Sequence, residues 1–206
     1  MSRKKIKKEI PETECPQCNG SGTIIKKRVH GKHKGNRAEL RICKILTERL
    51  QLGIWNRSPS SGAFSTTHAL SETAMKNLSG DFIAPIQNFA FSIENKCGYD
   101  IDLSKLLSTK SSIPQLFEFL HQSCIDAAKT GRIPMVIYTK DRREPLAIIP
   151  IDKNIVGDSK NINMDSLMMF KHFMEDFPDW DQWFVFVLEE LLDKAPADFF
   201  LIKEGF

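Results

Sequence analysis

Two short apolar runs on either side of a polar turn mark the centre of the chain. Phe82–Ile83 and residues 89–93 flank a turn rich in Pro, Gln and Asn, a pattern typical of a β-hairpin. Asp81 precedes the first run, and Glu94 and Lys96 close the second. Side chains two residues apart share one face of a strand, so Glu94 and Lys96 should point the same way, with Asp81 beside them. The pattern therefore predicts two carboxylates and an ammonium at one spot, which suits a hard divalent cation and a polarised water.

The segments around this hairpin predict a layered α/β protein. Apolar positions at helical spacing predict two helices, at residues 36–52 and 114–130. Asn36 is the expected N-cap of the first helix, and Gly53 and Gly131 are the expected stops. Short apolar runs predict further strands, at residues 134–139, 145–151 and 183–187. This order of elements predicts an α/β sandwich with a mixed central β-sheet flanked by helices.

Changes in composition divide the chain into three predicted segments. They are a basic arm at 1–35, a core at 36–151 and a C-terminal extension at 152–206 that is expected to pack on the core. The extension follows a polar stretch and carries a dense cluster of Met, Phe and Trp. Such a cluster is typical of core packing, and an exposed aromatic face for a protein partner is the alternative.

The overall composition favours a folded protein of the cytosol. The chain has 206 residues, of which 41% are hydrophobic and 9% aromatic, enough for a substantial core. No apolar run approaches the roughly 20 residues that a membrane helix needs. The five cysteines are irregularly spaced and do not form a disulfide framework. We therefore expect a reducing cytosol and no membrane partner.

Charge is distributed unevenly along the chain. The formal net charge is +3, yet residues 1–44 carry thirteen Lys and Arg against four Asp and Glu. A basic N-terminal segment on a mildly acidic body favours a polyanionic partner, most simply nucleic acid, although basic termini are also common as solvated tails.

The basic arm contains a Cys-x-x-Cys pair that predicts a zinc knuckle. Cys15 and Cys18 are followed by glycines that permit a tight turn, and His30 and His33 are the nearest further ligands. The spacing between the two histidines is one residue shorter than usual. The segment also resembles a single half-repeat of the Cys-rich domain of DnaJ-type chaperones, without the partner repeat. Bound Zn²⁺ and a flexible basic arm with two reduced thiols both remain open.

The order of motifs resembles that of a known nuclease superfamily. An early helix carries Glu39, a loop at 57–62 reads Arg-Ser-Pro-Ser-Ser-Gly, and Gly80-Asp81 leads to Glu94-x-Lys96. This layout resembles the PD-(D/E)xK restriction-endonuclease-like superfamily, and within it is most similar to archaeal and phage Holliday-junction resolvases. The resemblance covers roughly residues 35–151.

The resemblance implies a metal centre and a catalytic lysine. By this analogy Asp81, Glu94 and the backbone carbonyl of Asn95 would bind Mg²⁺, with Mn²⁺ as a substitute. Glu39 would bind the metal or a water on it. Lys96 would orient the attacking water and stabilise the charge that grows on the phosphate.

The resemblance also implies contacts with DNA. Ser61 would lie near the metal and the phosphate, with Ser60 as the second match in the same loop. Arg57 and Gln122 would contact the DNA as well. Asn95 stands where the family often has an apolar residue, and its side chain should point away from the site.

The resemblance implies a Mg²⁺-dependent endodeoxyribonuclease of the Holliday-junction-resolvase type, acting as a homodimer on branched DNA in a bacterial or phage-infected host cytosol. Two alternatives remain open from the sequence. One keeps the nuclease chemistry but acts on duplex DNA in restriction or recombination. The other is an inactive DNA-binding protein with a nuclease fold.

Overall fold

A five-stranded sheet with helices on both faces organises the residues that the structure describes. The computed structural model describes residues 31–59, 80–107, 113–150 and 168–202. Its helices are α1 (Gly31–Leu50), α2 (Pro114–Ala128) and α3 (Leu188–Lys194), with 3₁₀ turns at Leu103–Leu107 and Ala197–Phe200. Its strands are β1 (Asn56–Arg57), β2 (Phe82–Ile83), β3 (Phe91–Cys97), β4 (Ile133–Thr139), β5 (Leu146–Pro150), β6 (Met168–Lys171) and β7 (Gln182–Val187).

The main sheet is mixed, as the sequence predicts. Its strand order is β3-β4-β5-β7-β6, and only the β3–β4 pair is parallel. Parallel neighbours need a crossover, and α2 supplies it between β3 and β4. Glu94 lies opposite Val136 in this pair, and Lys96 lies opposite Tyr138. β3 is thus an edge strand of the main sheet, with one side open to other contacts.

The two faces of the sheet pack into two separate apolar clusters. Alternate residues of each strand point to opposite faces. One face packs against α1 and α3, through residues such as Ile42, Leu46, Ile93, Ile137 and Leu188. The other face packs against α2, through residues such as Leu116, Leu120, Val136, Ile148 and Trp183. Both faces of the central strands are therefore buried, which explains the nearly continuous apolar runs of β4 and β5.

The predicted hairpin of β2 and β3 is wrong in its pairing. β2 pairs antiparallel with β1, with Arg57 opposite Phe82, in a separate two-stranded sheet. The two apolar runs identify buried residues such as Phe82, but such a pattern does not specify which backbone groups bond to each other. β1 lies in a distant part of the chain, so local pattern reasoning missed it.

The helix boundaries also differ from the prediction. α1 begins at Gly31 rather than at Asn36, which lies inside the helix and is not its cap. The helix ends at Leu50, where Gln51 takes a left-handed conformation with φ of 54°. α2 starts at Pro114, a residue favoured in the first helical turn, and ends at Ala128.

The described part of the C-terminal segment contributes directly to the sheet. β7 pairs with β5 on one side and β6 on the other, and Trp183 is fully buried between the sheet and α2. The boundary between core and extension remains a prediction. Among the described helices, none has the length and apolar character needed to cross a membrane.

Gly80 provides a test of how closely the chain must approach β3. Its φ is +83°, and a Cβ built on it would lie 2.5 Å from the carbonyl oxygen of Ile93. Gly131 is a matched control, because its φ is +63° but a Cβ there would meet nothing within 4 Å. We expect Gly131→Ala to cost about 1 kcal/mol in the free energy of unfolding, from backbone strain alone. We expect Gly80→Ala to cost roughly 3 kcal/mol or more, because strain and a backbone clash add.

Urea unfolding of both variants and the wild type measures this difference. Equal losses in the two variants would show that the approach of Gly80 to β3 can relax without cost.

Candidate active site

Asp81 is fixed to the open edge of β3 by two hydrogen bonds. Its backbone N–H donates to the carbonyl oxygen of Ile93 at 2.9 Å, and the N–H of Asn95 donates to Asp81 Oδ2 at 2.8 Å. The backbone and side chain of one residue thus take the place of a strand partner at this edge. The Asp81 side chain is consequently held beside β3, and the residue is only 5% exposed.

Glu94 and Lys96 form an ion pair on the α2 side of β3. Lys96 Nζ lies 2.7 Å from Glu94 Oε1, and the two side chains are 16% and 18% exposed. Their two-residue spacing predicts this shared face. Lys96 Nζ also lies 5.0 Å from the ring centroid of Phe119 on α2, within the range of a cation–π contact. The lysine is thereby held between a carboxylate and an aromatic ring.

Burial and like charge raise the pKa values of both carboxyls. The pKa of Asp81 is raised to about 7, first by burial and then by the charge of Glu94, while the Asn95 N–H and Lys96 oppose the shift. The pKa of Glu94 is also raised, first by burial, while Lys96 opposes the shift. Two buried carboxyls that disfavour each other's ionised form provide a place where a cation is stabilising.

Glu39 and Arg57 form a second charged pair at the α1 side of the site. Arg57 Nε donates to Glu39 Oε2, and Arg57 Nη2 donates to Asn36 Oδ1 at 3.1 Å. Glu39 is buried, and its charge adds to the rise of the Asp81 pKa. A guanidinium beside this buried carboxylate offsets the cost of its burial.

The oxygen donors at the edge of β3 fit Mg²⁺. In a strand, the N–H and C=O of one residue point to the same side, so the Asn95 carbonyl faces the edge that Asp81 occupies. Asp81, Glu94 and this carbonyl are hard oxygen donors, and Mg²⁺ is usually held by one or two carboxylates with water and substrate. Across the described ranges, no three His, Cys, Asp or Glu side chains group closely enough to hold a metal. The structure therefore does not bring Glu39 together with the other two carboxylates as ligands.

α2 places two polar residues and an aromatic ring next to β3. Gln122 Nε2 donates to Asp126 Oδ2 at 2.8 Å, and Lys129 Nζ donates to Asp126 Oδ1 at 2.7 Å. The charge of Asp126 contributes to the raised pKa of Glu94, which places it near the ion pair. Sequence reasoning missed Asp126 and Phe119. The sequence did carry a signal for them, because Phe119 and Asp126 lie three and four residues from Gln122 and so share one stripe of the helix.

Asn95 has its side chain on the opposite face of β3, as the sequence predicts. It is 8% exposed, and within the described residues its amide has no hydrogen-bond partner. Several other predicted residues lie outside what the structure describes: Cys15, Cys18, His30, Ser60, Ser61 and the side chain of His33. The zinc knuckle and the serine loop accordingly remain predictions.

Comparison with known proteins places these features in a family. A family model described as "Phage putative PDDEXK endonuclease" matches residues 30–200. The chain belongs to this family. Protein D14 of Escherichia phage T5 is similar to it, with 29% identity over 156 residues that cover 74% of this chain and 86% of D14. No solved structure gives a significant match.

Membership of this phage endonuclease family confirms the PD-(D/E)xK superfamily and its nuclease class. The matched region begins one residue before α1 and ends at Phe200, so it includes β6, β7 and α3. The narrower resemblance to Holliday-junction resolvases remains a prediction.

The pKa of Asp81 predicts a pH dependence of stability in the metal-free protein. Because its pKa rises from 3.8 to about 7 on folding, the folded state binds the proton more tightly. The contribution of Asp81 to the free energy of unfolding is therefore fully present below about pH 4, and is lost as the pH rises through about 7. We expect the free energy of unfolding to fall by a few kcal/mol over this range, on the order of magnitude that such a shift implies.

Urea unfolding in EDTA at several pH values measures this loss. Asp81→Asn keeps an oxygen that can accept from the Asn95 N–H but cannot ionise, so its curve should decline less than that of the wild type. Asp100→Asn is the control for loss of a carboxylate away from the site, because this side chain is 92% exposed and pairs with Lys140 at the surface. A parallel decline in wild type and Asp81→Asn would contradict the assigned burial cost.

Proposed function

We propose that the protein is a Mg²⁺-dependent endodeoxyribonuclease that hydrolyses DNA phosphodiester bonds and prefers branched DNA. One observation carries the proposal. In a member of a phage PD-(D/E)xK endonuclease family, two buried carboxyls with raised pKa values lie beside an oriented lysine at the edge of β3.

The carboxylates provide the binding site for the cation. Mg²⁺, with Mn²⁺ as a substitute, would be held by Asp81, Glu94 and the Asn95 carbonyl, and would supply Lewis acidity at the phosphate. Asp81 must lose its proton to bind a cation, so cation affinity should increase as pH rises through its pKa. Glu39 remains the proposed further ligand, of the metal or of a water on it, and direct binding requires that it leave Arg57 and move closer to Asp81 and Glu94.

Lys96 supplies positive charge where the transition state gains negative charge. Its ammonium is held by Glu94 and by the ring of Phe119, so little reorganisation is needed when a phosphate arrives. A lysine ammonium has three donors, so after pairing with Glu94 it can also donate to the attacking water or to a phosphate oxygen. Arg57 offers a second cation for the DNA backbone once it is released from Glu39.

The preference for branched DNA is supported by the order of motifs along the chain. A Glu helix, the 57–62 loop, Gly80-Asp81 and Glu94-x-Lys96 occur in the order of archaeal and phage junction resolvases. We further propose a homodimer, because a two-fold pair of sites can cut two strands of a junction symmetrically.

Cleavage assays on matched DNA substrates test this proposal. The protein is incubated in Mg²⁺ or Mn²⁺ with a four-way junction, a linear duplex and a single strand. We expect paired symmetric nicks in the junction and little cutting of the other two. Asp81→Asn and Lys96→Ala should each reduce the rate by about 100-fold or more, because the first weakens the cation site and the second removes the positive charge at the phosphate.

Lys194→Ala serves as the matched control for charge. Lys194 is half exposed and pairs with Glu190 one helical turn away on α3, so its loss should leave the cleavage rate unchanged. Preferential cutting of linear duplex would instead support a restriction or recombination nuclease. Binding without cutting in either metal would identify an inactive DNA-binding protein, and full activity of Asp81→Asn would refute the assigned site.

A further inference from the structure

An aromatic pair, the half-buried Phe119 and the exposed Tyr99, lies next to the lysine of the candidate site. The Phe119 ring lies 5.0 Å from Lys96 Nζ, and the Tyr99 ring packs edge-on against Phe119 with centroids 4.7 Å apart. Tyr99 follows the end of β3 and is 39% exposed. Phe119 thus contacts both the ammonium and the tyrosine, so the centroid of the Tyr99 ring lies within about 10 Å of Lys96 Nζ, a span of one to two nucleotides of backbone.

Hydrogen bonds with a buried residue of β4 hold the backbone around Tyr99 in place. Tyr138 on β4 is buried, its Oη donates to the carbonyl oxygen of Tyr99 at 2.8 Å, and the N–H of Ile101 donates to the same Oη at 3.2 Å. Gly98 makes the preceding bend with φ of +86°. The exposed ring is therefore presented by an ordered backbone, and little entropy is lost when a flat ligand stacks on it.

Charged side chains of both signs surround Tyr99. Asp100 follows it directly, and Asp102 lies two residues after Asp100, both exposed. Lys140 pairs with Asp100. The pKa of Asp102 is lowered by hydrogen bonds from Ser104 and then by the charges of Lys105 and Lys140. Charges of opposite sign therefore offset each other at this turn, and the Tyr99 ring itself offers an uncharged face on which a base can stack.

We propose that Tyr99 stacks on an unpaired base next to the scissile phosphate, and that this contact selects DNA with exposed bases over intact duplex. The proposal rests on the nuclease function proposed above. In an intact duplex both faces of a base are covered by its neighbours, whereas at a branch point or an opened step a face is available. Stacking of a base on an aromatic side chain tolerates any sequence, so this selects DNA structure rather than sequence.

Binding measurements on two DNA substrates test the contact. A four-way junction with 2-aminopurine at the branch point is compared with a linear duplex of the same arm sequence, in Ca²⁺ to limit cleavage. Tyr99→Leu keeps apolar contact with Phe119 but lacks the ring. We expect it to weaken junction binding by about 5-fold to 100-fold and to change duplex binding less than twofold. Tyr99→Phe should bind as the wild type does, and 2-aminopurine fluorescence should be quenched by the wild type and by Tyr99→Phe but not by Tyr99→Leu.

Phe173→Leu is the matched control for loss of an exposed ring. Phe173 is 70% exposed and lies in the segment that connects β6 to β7. β6 is the edge strand farthest from β3, so junction binding should not change. Equal weakening on both substrates, no weakening in Tyr99→Leu, or an equal loss in Tyr99→Phe would each overturn the proposal. Thermal unfolding of each variant checks that the fold is kept.

Cleavage of the same substrates in Mg²⁺ separates this proposal from the nuclease function. If the wild type cuts neither DNA, yet Tyr99→Leu loses junction binding alone, the nuclease function fails and the stacking contact stands. If the wild type cuts the junction and Tyr99→Leu binds it normally, the stacking contact fails and the nuclease function stands. If the wild type binds neither DNA, both fail.

Discussion

The attachment of Asp81 to the edge of β3 is the constraint on which the candidate site depends. An edge strand presents unpaired backbone groups, and here a single aspartate satisfies one carbonyl and one N–H of that edge. The same two bonds bring a carboxyl next to Glu94. Satisfying the backbone of β3 therefore also places two groups of like charge side by side. Gly80 makes this approach possible, because a side chain there would meet the Ile93 carbonyl. Burial first, and then neighbouring negative charge, raise the pKa values of Asp81 and Glu94, which reflects the electrostatic cost of this arrangement.

Local patterns in the sequence predicted what depends on spacing along the chain. Glu94 and Lys96 share a face because a strand repeats every two residues, and α2 follows from the apolar stripe that ends near Gly131. The partner of β2 was not predictable in this way, because Arg57 and Phe82 are distant in sequence and their pairing depends on tertiary packing. Local pattern also did not show that Arg57 takes Glu39 as its partner, since an apolar stripe carries no information on how side-chain charges pair.

The remaining contributions to the site come from the element opposite β3. Phe119 and Asp126 lie on α2, and the crossover that makes β3 and β4 parallel also carries these residues over the ion pair of Lys96. The helix thus provides an aromatic ring and a further negative charge on the side of β3 away from α1. The environment of Lys96 is consequently set by two elements, β3 and α2, that pack directly against each other. Spacing along the sequence does not show which helix residues will lie over a given strand residue.

The position of β7 has a consequence for how the protein assembles during synthesis. β7 lies between β5 and β6, and in the described ranges β6 pairs with β7 alone. As the chain emerges from the ribosome, β3, α2, β4 and β5 are all complete before β7 is made. The half of the sheet that carries Glu94 and Lys96 can therefore form early, whereas the second edge of β5 and the strand β6 both wait for β7. Until β7 is made, this edge and the apolar side chains of β6 are open to aggregation.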